Sequence, residues 1–481
     1  MPFERLSPLD AGFLHVEDSV THMHIGSVSI MEGPPPGYES LRDMVESKLP
    51  LVRRYRQTVR RVPLDLGRPV WADDPYFSID YHVRHTALPA PGSEIQLRNL
   101  VARVMAQQLD RNRPLWEMWM VEGLEGGRWA IVSKVHHCMV DGVSGSDLLG
   151  LILDVTPEPA PLDPDPWIPS LPPAGWELAV DAVVDMATSP FELGRLLRAR
   201  TRTPRRIVSQ LGEAVGGLRD AAASMSGQSN TSLNGPIGPH RRWAQASVTV
   251  AEIKEVRRRF GGTFNDVVLT LIAGGFRHLL DKRGESADLP LRSLVPVSVR
   301  PRDDRGMAIG DGSLANKVTA LFAELPVHVA DPVGRLRVVT EQMAGLKQSK
   351  SALAGEALTS LSGFAPPLLL SLAGRLGTKA PQRTINTVTT NVPGPQLPLY
   401  ALGRRMLQVF PYVPLGIQMR IGVAVFSYDG TVGFGITGDY DTAPDIDVLA
   451  WGIQTGMAEL LAVEPDSVII DLRRPGSRSR S

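Results

Sequence analysis

Residues 129–142 of this 481-residue chain read WAIVSKVHHCMVDG. The first seven form a short apolar run, which is typical of a buried β-strand. The strand is expected to deliver two adjacent histidines, His136 and His137, and the Asp141-Gly142 pair that follows predicts a tight turn. Because imidazole can take up a proton near neutral pH, a histidine held rigidly at this point is a candidate general base.

Only one of the two histidines is expected to act. Side chains alternate across a strand, so His136 and His137 should face opposite sides, and only one can enter a given cleft. The same alternation should turn Cys138 away from the face of His137, and we interpret it as a small buried hydrophobe. As the single cysteine of the chain, Cys138 also excludes an internal disulfide and a metal site built from several cysteines.

The composition is that of an ordinary large globular protein. Hydrophobic residues make up 43% of the chain and charged residues 21%, and the length predicts two domains. Lys+Arg and Asp+Glu balance at 51 each, so no net field draws the chain to nucleic acid. The start lacks the features of a secretory signal, and no run of about 18 apolar residues could span a bilayer, so we expect a cytoplasmic location.

Composition also predicts the domain boundaries. A dense proline cluster between Pro157 and Pro173 is incompatible with continuous helix or central strand. We therefore predict a first domain over 1–155, a Pro-rich and helical crossover over 156–234, a second domain over 235–472 and a disordered Ser/Arg tail over 473–481. The crossover holds two predicted helices, 176–200 and 206–225, and their Arg-rich junction fits either a helical linker or a membrane-surface helix.

Periodicity predicts the main elements of both domains. Helices are predicted over 95–109, 143–155, 264–280 and 447–462, and strands over 129–135, 293–299 and 316–324. The clearest local prediction is a hairpin in which 421–428 and 431–437 flank the two-residue turn Asp429-Gly430.

Several motifs, taken in order, resemble one known family. His-His-x-x-x-Asp-Gly at 136–142 resembles the signature of the bacterial wax ester synthase/diacylglycerol acyltransferase family. Further segments occur in the order of that family: LSPLD at 6–10, PLW at 114–116, ND at 265–266, VPVSVR at 295–300 and NVPGP at 391–395. The resemblance covers nearly the whole chain. The ordered set is more specific than His-x-x-x-Asp-Gly alone, which recurs in many coenzyme-A-dependent acyltransferases and in peptide-synthetase condensation domains.

The resemblance implies a fold similar to chloramphenicol acetyltransferase. That fold is α/β, with two related domains, mixed sheets flanked by helices and an active-site channel at the domain interface. The resemblance also implies that His137 is the general base. Asp141 would be a structural carboxylate that points away and pins the loop, often against an arginine, and Arg300 is our candidate for that partner.

Other residues are expected to support the site. His136 should hold the loop or the neighbouring strand, and Gly142 should supply a backbone conformation that a Cβ disfavours. Thr263 and Asp266 fit a capping box, which explains Asp266 without any function. Asn265 then remains free to face the channel, where the resemblance suggests a supporting role.

Three further segments are interpreted from local chemistry. Pro114-Leu115-Trp116 is predicted to be a core or channel-wall element, because a buried Trp needs packing and a partner for its N–H. The stretch 391–395 is predicted to be a turn. The apolar segment 361–376 is too short to span a bilayer, and it fits an acyl tunnel wall, a lipid contact or a buried helix.

The resemblance implies an O-acyltransferase that moves a fatty acyl group from acyl-CoA to diacylglycerol to make triacylglycerol. Long-chain alcohols would be second acceptors that give wax esters. His137 would remove the hydroxyl proton as the oxygen attacks the thioester, without a covalent enzyme intermediate. No metal and no bound cofactor are expected, since acyl-CoA is a co-substrate. Peripheral attachment to the inner membrane surface or to lipid bodies stays open.

Two alternatives are compatible with the sequence. One is a related acyltransferase for another lipid alcohol. The other is a non-catalytic lipid-binding protein of the same fold, although a binding module would need no histidine at the spacing that the 136–142 motif has.

Overall fold

A computed structural model of the chain describes residues 3–139, 152–158, 167–184, 231–298, 318–348, 385–416 and 418–464. Several predicted features lie outside these residues: Asp141, Gly142, Arg300, the segment 361–376, the helix 206–225, most of the helix 143–155 and the tail 473–481. Within the described residues, the chain forms two six-stranded sheets and a separate two-stranded ribbon.

The first sheet combines strands from both ends of the chain. Its strands are β1 His24–Met31, β4 Val83–Ala87, β5 Trp116–Glu122, β6 Trp129–His136, β11 Tyr400–Ala401 and β12 Arg404–Tyr412, while β2 Gln57–Arg60 and β3 Val70–Asp73 form the ribbon. The strand order is β11-β12-β1-β6-β5-β4. Only β4 and β5 run parallel, and the other neighbours are antiparallel. The sheet is therefore mixed, as predicted.

The second sheet is also mixed. Its strands are β7 Arg241–Thr249, β8 Leu291–Ser298, β9 Val318–Leu325, β10 Thr387–Pro393, β13 Ile421–Tyr428 and β14 Thr431–Asp439, in the order β7-β14-β13-β10-β8-β9. The central strand β10 runs parallel to both of its neighbours. Apolar side chains of this sheet and of the helices beside it share one buried core.

Helices flank the sheets in both halves of the chain. They are Pro8–Val16, Tyr38–Lys48, Ile79–His82, Glu94–Met105, Val250–Phe260, Phe264–Arg283, Pro332–Gln348 and Ile446–Ala462, and residues 175–184 are also helical. Short 3-10 turns lie at Leu49–Leu51, Arg53–Arg56, Pro63–Asp65, Glu125–Gly127 and His137–Met139. Among the described residues, no helix combines the length and the apolarity needed to cross a lipid bilayer.

Two local predictions are confirmed, the Asp429-Gly430 hairpin turn and the Thr263 capping box. Asp429 and Gly430 both have positive φ, 41° and 81°, as a type I′ hairpin turn between β13 and β14 requires. At the start of the helix Phe264–Arg283, the Asp266 N–H donates to Thr263 Oγ1 at 3.2 Å and the Thr263 N–H donates to Asp266 Oδ2 at 2.8 Å. This is the predicted capping box.

Other boundaries need correction. The helix predicted over 95–109 ends at Met105, where the buried ammonium of Lys134 donates to the carbonyl of Val104 at 3.0 Å and also to that of Gln107. Lys134 therefore satisfies carbonyls that a longer helix would have used itself. The helix predicted to reach residue 155 has ended by residue 153, and Asp154 forms a β-bridge with Tyr400.

The predicted turn at 391–395 is wrong for its first three residues. Asn391 to Pro393 form the end of β10, and Pro393 lies opposite Ser427 of β13. A proline is tolerated at the end of a strand, where only one ladder donor is lost. Gly394 follows in close contact with β13, since a Cβ there would lie 2.3 Å from the Ser427 carbonyl oxygen.

Two strands from late in the chain belong to the first sheet. Strands β11 and β12 come from the predicted second domain, yet β12 pairs with β1 over Gly26–Met31 and completes the first sheet. The division of the chain at residues 155 and 235 itself stays a prediction.

The two sheets meet where β12 passes over β14. A Cβ on Gly433 would lie 2.2 Å from the Val409 carbonyl oxygen, and a Cβ on Gly435 would lie 1.6 Å from the Pro411 carbonyl oxygen. No real Cβ fits at such distances from backbone atoms. Glycines in β14 are therefore what lets the two sheets come this close.

Replacing Gly435 by Ala should lower the free energy of unfolding by about 1–3 kcal/mol, because the added methyl overlaps the backbone of β12. Urea unfolding measures this change. Gly345, in the helix Pro332–Gln348, is the matched control, since no atom lies within 4 Å of its Cβ position. Gly345→Ala should stabilise the protein by about 0.5–1 kcal/mol. Equal effects at the two positions would contradict the close approach of the sheets.

Candidate active site

The two histidines of the 136–142 motif lie where β6 ends. His136 is the last residue of β6, and its N–H donates to the Leu115 carbonyl at 2.9 Å. His137 begins the 3-10 turn His137–Met139, and its N–H donates to the Met23 carbonyl at 2.8 Å. Because the strand stops between the two histidines, strand alternation does not set their directions, and the expectation that it would is wrong. Their separate surroundings distinguish them instead.

The His137 imidazole is packed against Phe13. The two rings are stacked, with centroids 3.9 Å apart and an interplanar angle of 25°. Although the residue keeps some exposed surface, burial lowers the pKa of His137 to about 4; its own backbone raises the pKa and His136 lowers it further. The Nδ1 atom is buried and has no hydrogen-bond partner in the described part of the chain. At neutral pH the imidazole is uncharged, which is the form that can accept a proton.

The helix Pro8–Val16 places Phe13 against His137. Ser7 caps this helix, since its Oγ accepts the Asp10 N–H at 3.1 Å and donates to Asp10 Oδ2 at 2.5 Å. Pro8 occupies the first helical turn, where its missing N–H costs nothing. The LSPLD segment is therefore a helix start, and the Phe that it positions was not identified from the sequence.

The His136 ring is buried inside the protein. It is 1% exposed, and its Nδ1 accepts the Cys138 N–H at 3.1 Å. An accepting Nδ1 carries no hydrogen, so the proton of the neutral ring is on Nε2. Nε2 faces Glu17 Oε2 at 3.6 Å, just beyond hydrogen-bond distance, and has no hydrogen-bond partner among the described residues. This geometry supports the expectation that His136 holds the turn, a role that stays a prediction.

Glu17 and Arg111 complete the surroundings of His136. The Glu17 side chain is 3% exposed, and its Oε2 accepts from Arg111 Nη2 at 2.5 Å and Nε at 3.0 Å. Burial would raise the pKa of Glu17, but His136 and Arg111 hold that pKa at about 2. Neither Glu17 nor Arg111 was singled out from the sequence, because they lie 94 positions apart and outside every motif.

Cys138 is confirmed as a buried side chain. It is 3% exposed, and burial raises the pKa of its thiol well above the usual range, with the carboxylates of Asp10 and Glu17 adding to the effect. A thiol in this environment stays protonated and is a poor nucleophile.

The PLW segment is confirmed as a core element. Trp116 is fully buried, its Nε1–H donates to the Tyr55 carbonyl at 2.8 Å, and its ring stacks on His82 at 4.6 Å. Leu115 supplies the carbonyl that accepts the His136 N–H. The segment therefore also anchors the end of β6.

The structure brings Asn265 and Asn391 together. Asn391 Nδ2 donates to Asn265 Oδ1 at 3.0 Å, so two motifs that are far apart in the sequence meet at one point. Both residues line a cavity of about 740 Å³, and Lys254 and Gln396 also line it. The lining residues do not include His137.

No group of three or more His, Cys, Asp or Glu side chains that could hold a metal ion occurs within the described ranges.

Comparison with known proteins places the chain among acyltransferases. Residues 6–268 match the wax ester synthase/diacylglycerol acyltransferase catalytic domain, and residues 314–461 match the WS/DGAT C-terminal domain. A protein of Mycobacterium tuberculosis strain H37Rv, named "Probable diacyglycerol O-acyltransferase", is 37% identical over 461 residues, which is 95% of this chain and 96% of that protein.

Two solved structures share the fold. The wax ester synthase/diacylglycerol acyltransferase from Marinobacter aquaeolei VT8 has a TM-score of 0.64 at 24% identity and covers 95% of this chain and 98% of its own. The trichothecene 15-O-acetyltransferase from Fusarium sporotrichioides has a TM-score of 0.59 at 12% identity and covers 95% of this chain and 94% of its own. The predicted fold class, two related α/β domains of the acyltransferase type, is confirmed.

The buried neutral state of His137 should make the protein less stable in acid. Its folded pKa of about 4 lies below the ordinary value of 6.5, so between these values the unfolded chain binds the proton more readily. The neutral ring therefore does not reduce the free energy of unfolding above pH 6.5. As the pH falls from 6.5 to 4, the free energy of unfolding decreases by at most about 1.4 kcal/mol per pH unit. Urea unfolding from pH 7.5 to 5 should show a shallower pH dependence for His137→Asn than for the natural protein. Identical slopes would contradict this assignment.

Proposed function

This chain belongs to the wax ester synthase/diacylglycerol acyltransferase family, and from that premise we propose that it moves a fatty acyl group from acyl-CoA to diacylglycerol. The product is triacylglycerol, and long-chain alcohols are second acceptors that give wax esters. The observation that carries the proposal is the 37% identity, over nearly the full length of both chains, to a relative named as a diacylglycerol acyltransferase. The His-His-x-x-x-Asp-Gly segment at 136–142 is intact, which argues against an idle lipid-binding protein.

His137 is the proposed general base. Its neutral imidazole accepts the acceptor's hydroxyl proton while the hydroxyl oxygen attacks the thioester carbonyl. The tetrahedral intermediate then loses the thiolate of coenzyme A, which takes the proton from the imidazolium, so one C–O bond forms and one C–S bond breaks. A pKa of about 4 keeps the base free of protons at neutral pH, and the negative charge that develops on the intermediate stabilises the imidazolium next to it.

The transfer is proposed to be direct. Cys138, the residue next to the base, is buried and its thiol pKa is raised, so it is unsuited to form an acyl-enzyme. A thioester is already activated, and therefore positioning and a base are enough for much of the rate enhancement.

Asn265 is proposed to support a substrate in the cavity that it lines. Its Oδ1 accepts from Asn391, which leaves the two hydrogens of its Nδ2 to donate elsewhere. No metal and no bound cofactor take part in the proposed reaction, and acyl-CoA is a co-substrate.

The substitution His137→Ala should lower kcat by about 10²- to 10⁴-fold, because the reaction loses its general base. Release of free thiol from palmitoyl-CoA, with dioleoylglycerol or hexadecanol as acceptor, measures this. His85, an exposed histidine paired with Glu122, is the matched control, and His85→Ala should keep full activity. Thiol release that persists in a folded His137→Ala protein would rule out His137 as the base.

We further propose that the protein binds a lipid surface peripherally, through residues 168–184. Trp176, Val180 and Val183 follow one another at helical spacing and are 69%, 55% and 53% exposed. On the opposite side of the same helix, Leu178 and Ala182 are buried against Val62 and Val70. The helix is thus apolar on two sides, and only one of them meets the protein core.

A lipid surface fits the exposed side for two reasons. The substrates of the proposed reaction are lipids that partition into membranes or lipid bodies. Next to the helix, Ile168 and Leu171 are apolar residues that are 83% and 93% exposed. Along the chain, the Arg-rich stretch 195–206 follows, and its positive charge would attract anionic headgroups.

The double substitution Trp176→Asp/Val180→Asp should weaken binding to vesicles of phosphatidylcholine and phosphatidylglycerol about tenfold or more, since each buried apolar side chain contributes roughly 1.5–3 kcal/mol. Co-flotation with the vesicles measures binding. Trp451, which is 56% exposed on the helix Ile446–Ala462, is the matched control, and Trp451→Asp should bind as the natural protein does. Equal binding of all three proteins would contradict the assigned surface.

A further inference from the structure

We infer that Glu17 is a positioning residue for acyl transfer: with Arg111 it holds the His136 ring in the orientation and tautomer that fix the turn carrying His137. The inference rests on the proposed function, because it takes His137 as the base. Glu17 itself lies next to the His136 ring, and no contact with substrate is assigned to it.

The Glu17 carboxylate accepts three hydrogen bonds, two from Arg111 and one from Met23. Oε2 takes both hydrogen bonds from Arg111, and Oε1 accepts the Met23 N–H at 3.2 Å. Arg111 also donates to the Leu14 carbonyl at 3.1 Å, which ties the pair to the helix Pro8–Val16. A carboxylate with 3% exposure needs such partners to stay ionised, and with them its position is rigid.

Two routes lead from this carboxylate to His137. In the first, Glu17 Oε2 faces His136 Nε2, and His136 Nδ1 accepts the Cys138 N–H. In the second, Met23 donates its N–H to Glu17 and accepts the His137 N–H on its carbonyl. The backbone N–H groups on both sides of the His137 Cα are thus held by groups that Glu17 contacts.

The His136 tautomer is the step at which the charge of Glu17 matters. The Cys138 N–H needs an Nδ1 without a hydrogen, so the ring must carry its proton on Nε2. The negative charge at 3.6 Å favours that placement of the proton. Without the charge, both tautomers of the neutral ring become populated, and the one with the proton on Nδ1 opposes the Cys138 N–H.

The substitution Glu17→Gln removes the charge and keeps the size and the acceptor for Met23, while the amide nitrogen that replaces Oε2 no longer accepts from Arg111. We expect kcat to fall about 10²-fold, as misplacement of a reacting group by about 1 Å can cost that much, while KM for acyl-CoA and for the acceptor stays unchanged. Glu122→Gln is the matched control, because Glu122 also faces a histidine, His85 at 3.0 Å, but on the exposed surface. This control should keep full activity.

A double-mutant cycle separates positioning from simple stabilisation of the fold. Asn at position 136 can accept the Cys138 N–H through Oδ1 whatever the charge of its neighbour. In the His136→Asn background, Glu17→Gln should therefore change kcat by no more than about twofold. The same large loss in both backgrounds would mean that Glu17 acts on the fold alone, and would overturn the inference.

The ring state can also be observed directly, whether or not the His136→Asn protein folds. In ¹⁵N spectra of histidine-labelled natural protein, His136 should show an unprotonated Nδ1 and a protonated Nε2, and Glu17→Gln should populate the other tautomer. An unchanged His136 signal in Glu17→Gln would overturn the inference. This readout does not depend on turnover: if the natural protein transferred no acyl group to any acceptor, the proposed function would fail while the spectra still tested the role of Glu17.

Discussion

Strand β6 is hydrogen-bonded on both edges, and the rest of the site depends on this constraint. It pairs with β1 over its whole length, from Trp129 to His136, and with β5 from Ala130 to Val135. All eight of its residues are buried. A strand held on both sides cannot shift its register without moving every side chain to the other face. The point at which it ends is therefore fixed, and the turn that carries His137 begins at a defined place in the fold.

Around this turn, burial sets the charge of His137 and Cys138, whereas hydrogen-bonding and charged partners set the charge of Glu17. His137, packed on Phe13, is neutral because burial lowers its pKa. Cys138 is kept protonated by burial and by two carboxylates. Glu17 is buried as well, yet it is ionised because Arg111 and His136 compensate for the lost solvation. These different charge states suit a general base at neutral pH. His137 is uncharged and can accept a proton, Cys138 forms no thiolate that would compete with it, and Glu17 keeps a negative charge next to His136.

The sequence predicts those features whose cause is local. The Asp429-Gly430 hairpin and the Thr263 capping box depend on a few adjacent residues, and both were predicted correctly. The strand predicted over 129–135 ends one residue later, at His136, but the 3-10 turn at His137 was not predicted, because the Met23 carbonyl that accepts the His137 N–H lies more than a hundred positions away. The pairing of Glu17 with Arg111 and the strand character of Asn391 to Pro393 have the same cause. In each case the deciding partner is distant along the chain, and periodicity carries no information about it.

The place of β12 in the first sheet has a consequence for biosynthesis. Until residue 412 has left the ribosome, β1 lacks its outer neighbour, although β4, β5 and β6 have all been made long before. During that interval β1 is an open edge with unpaired backbone groups, which is the kind of surface that invites pairing with other chains. The first sheet is thus completed only when nearly the whole polypeptide has been made, and a truncated chain would present the motif on an unfinished sheet.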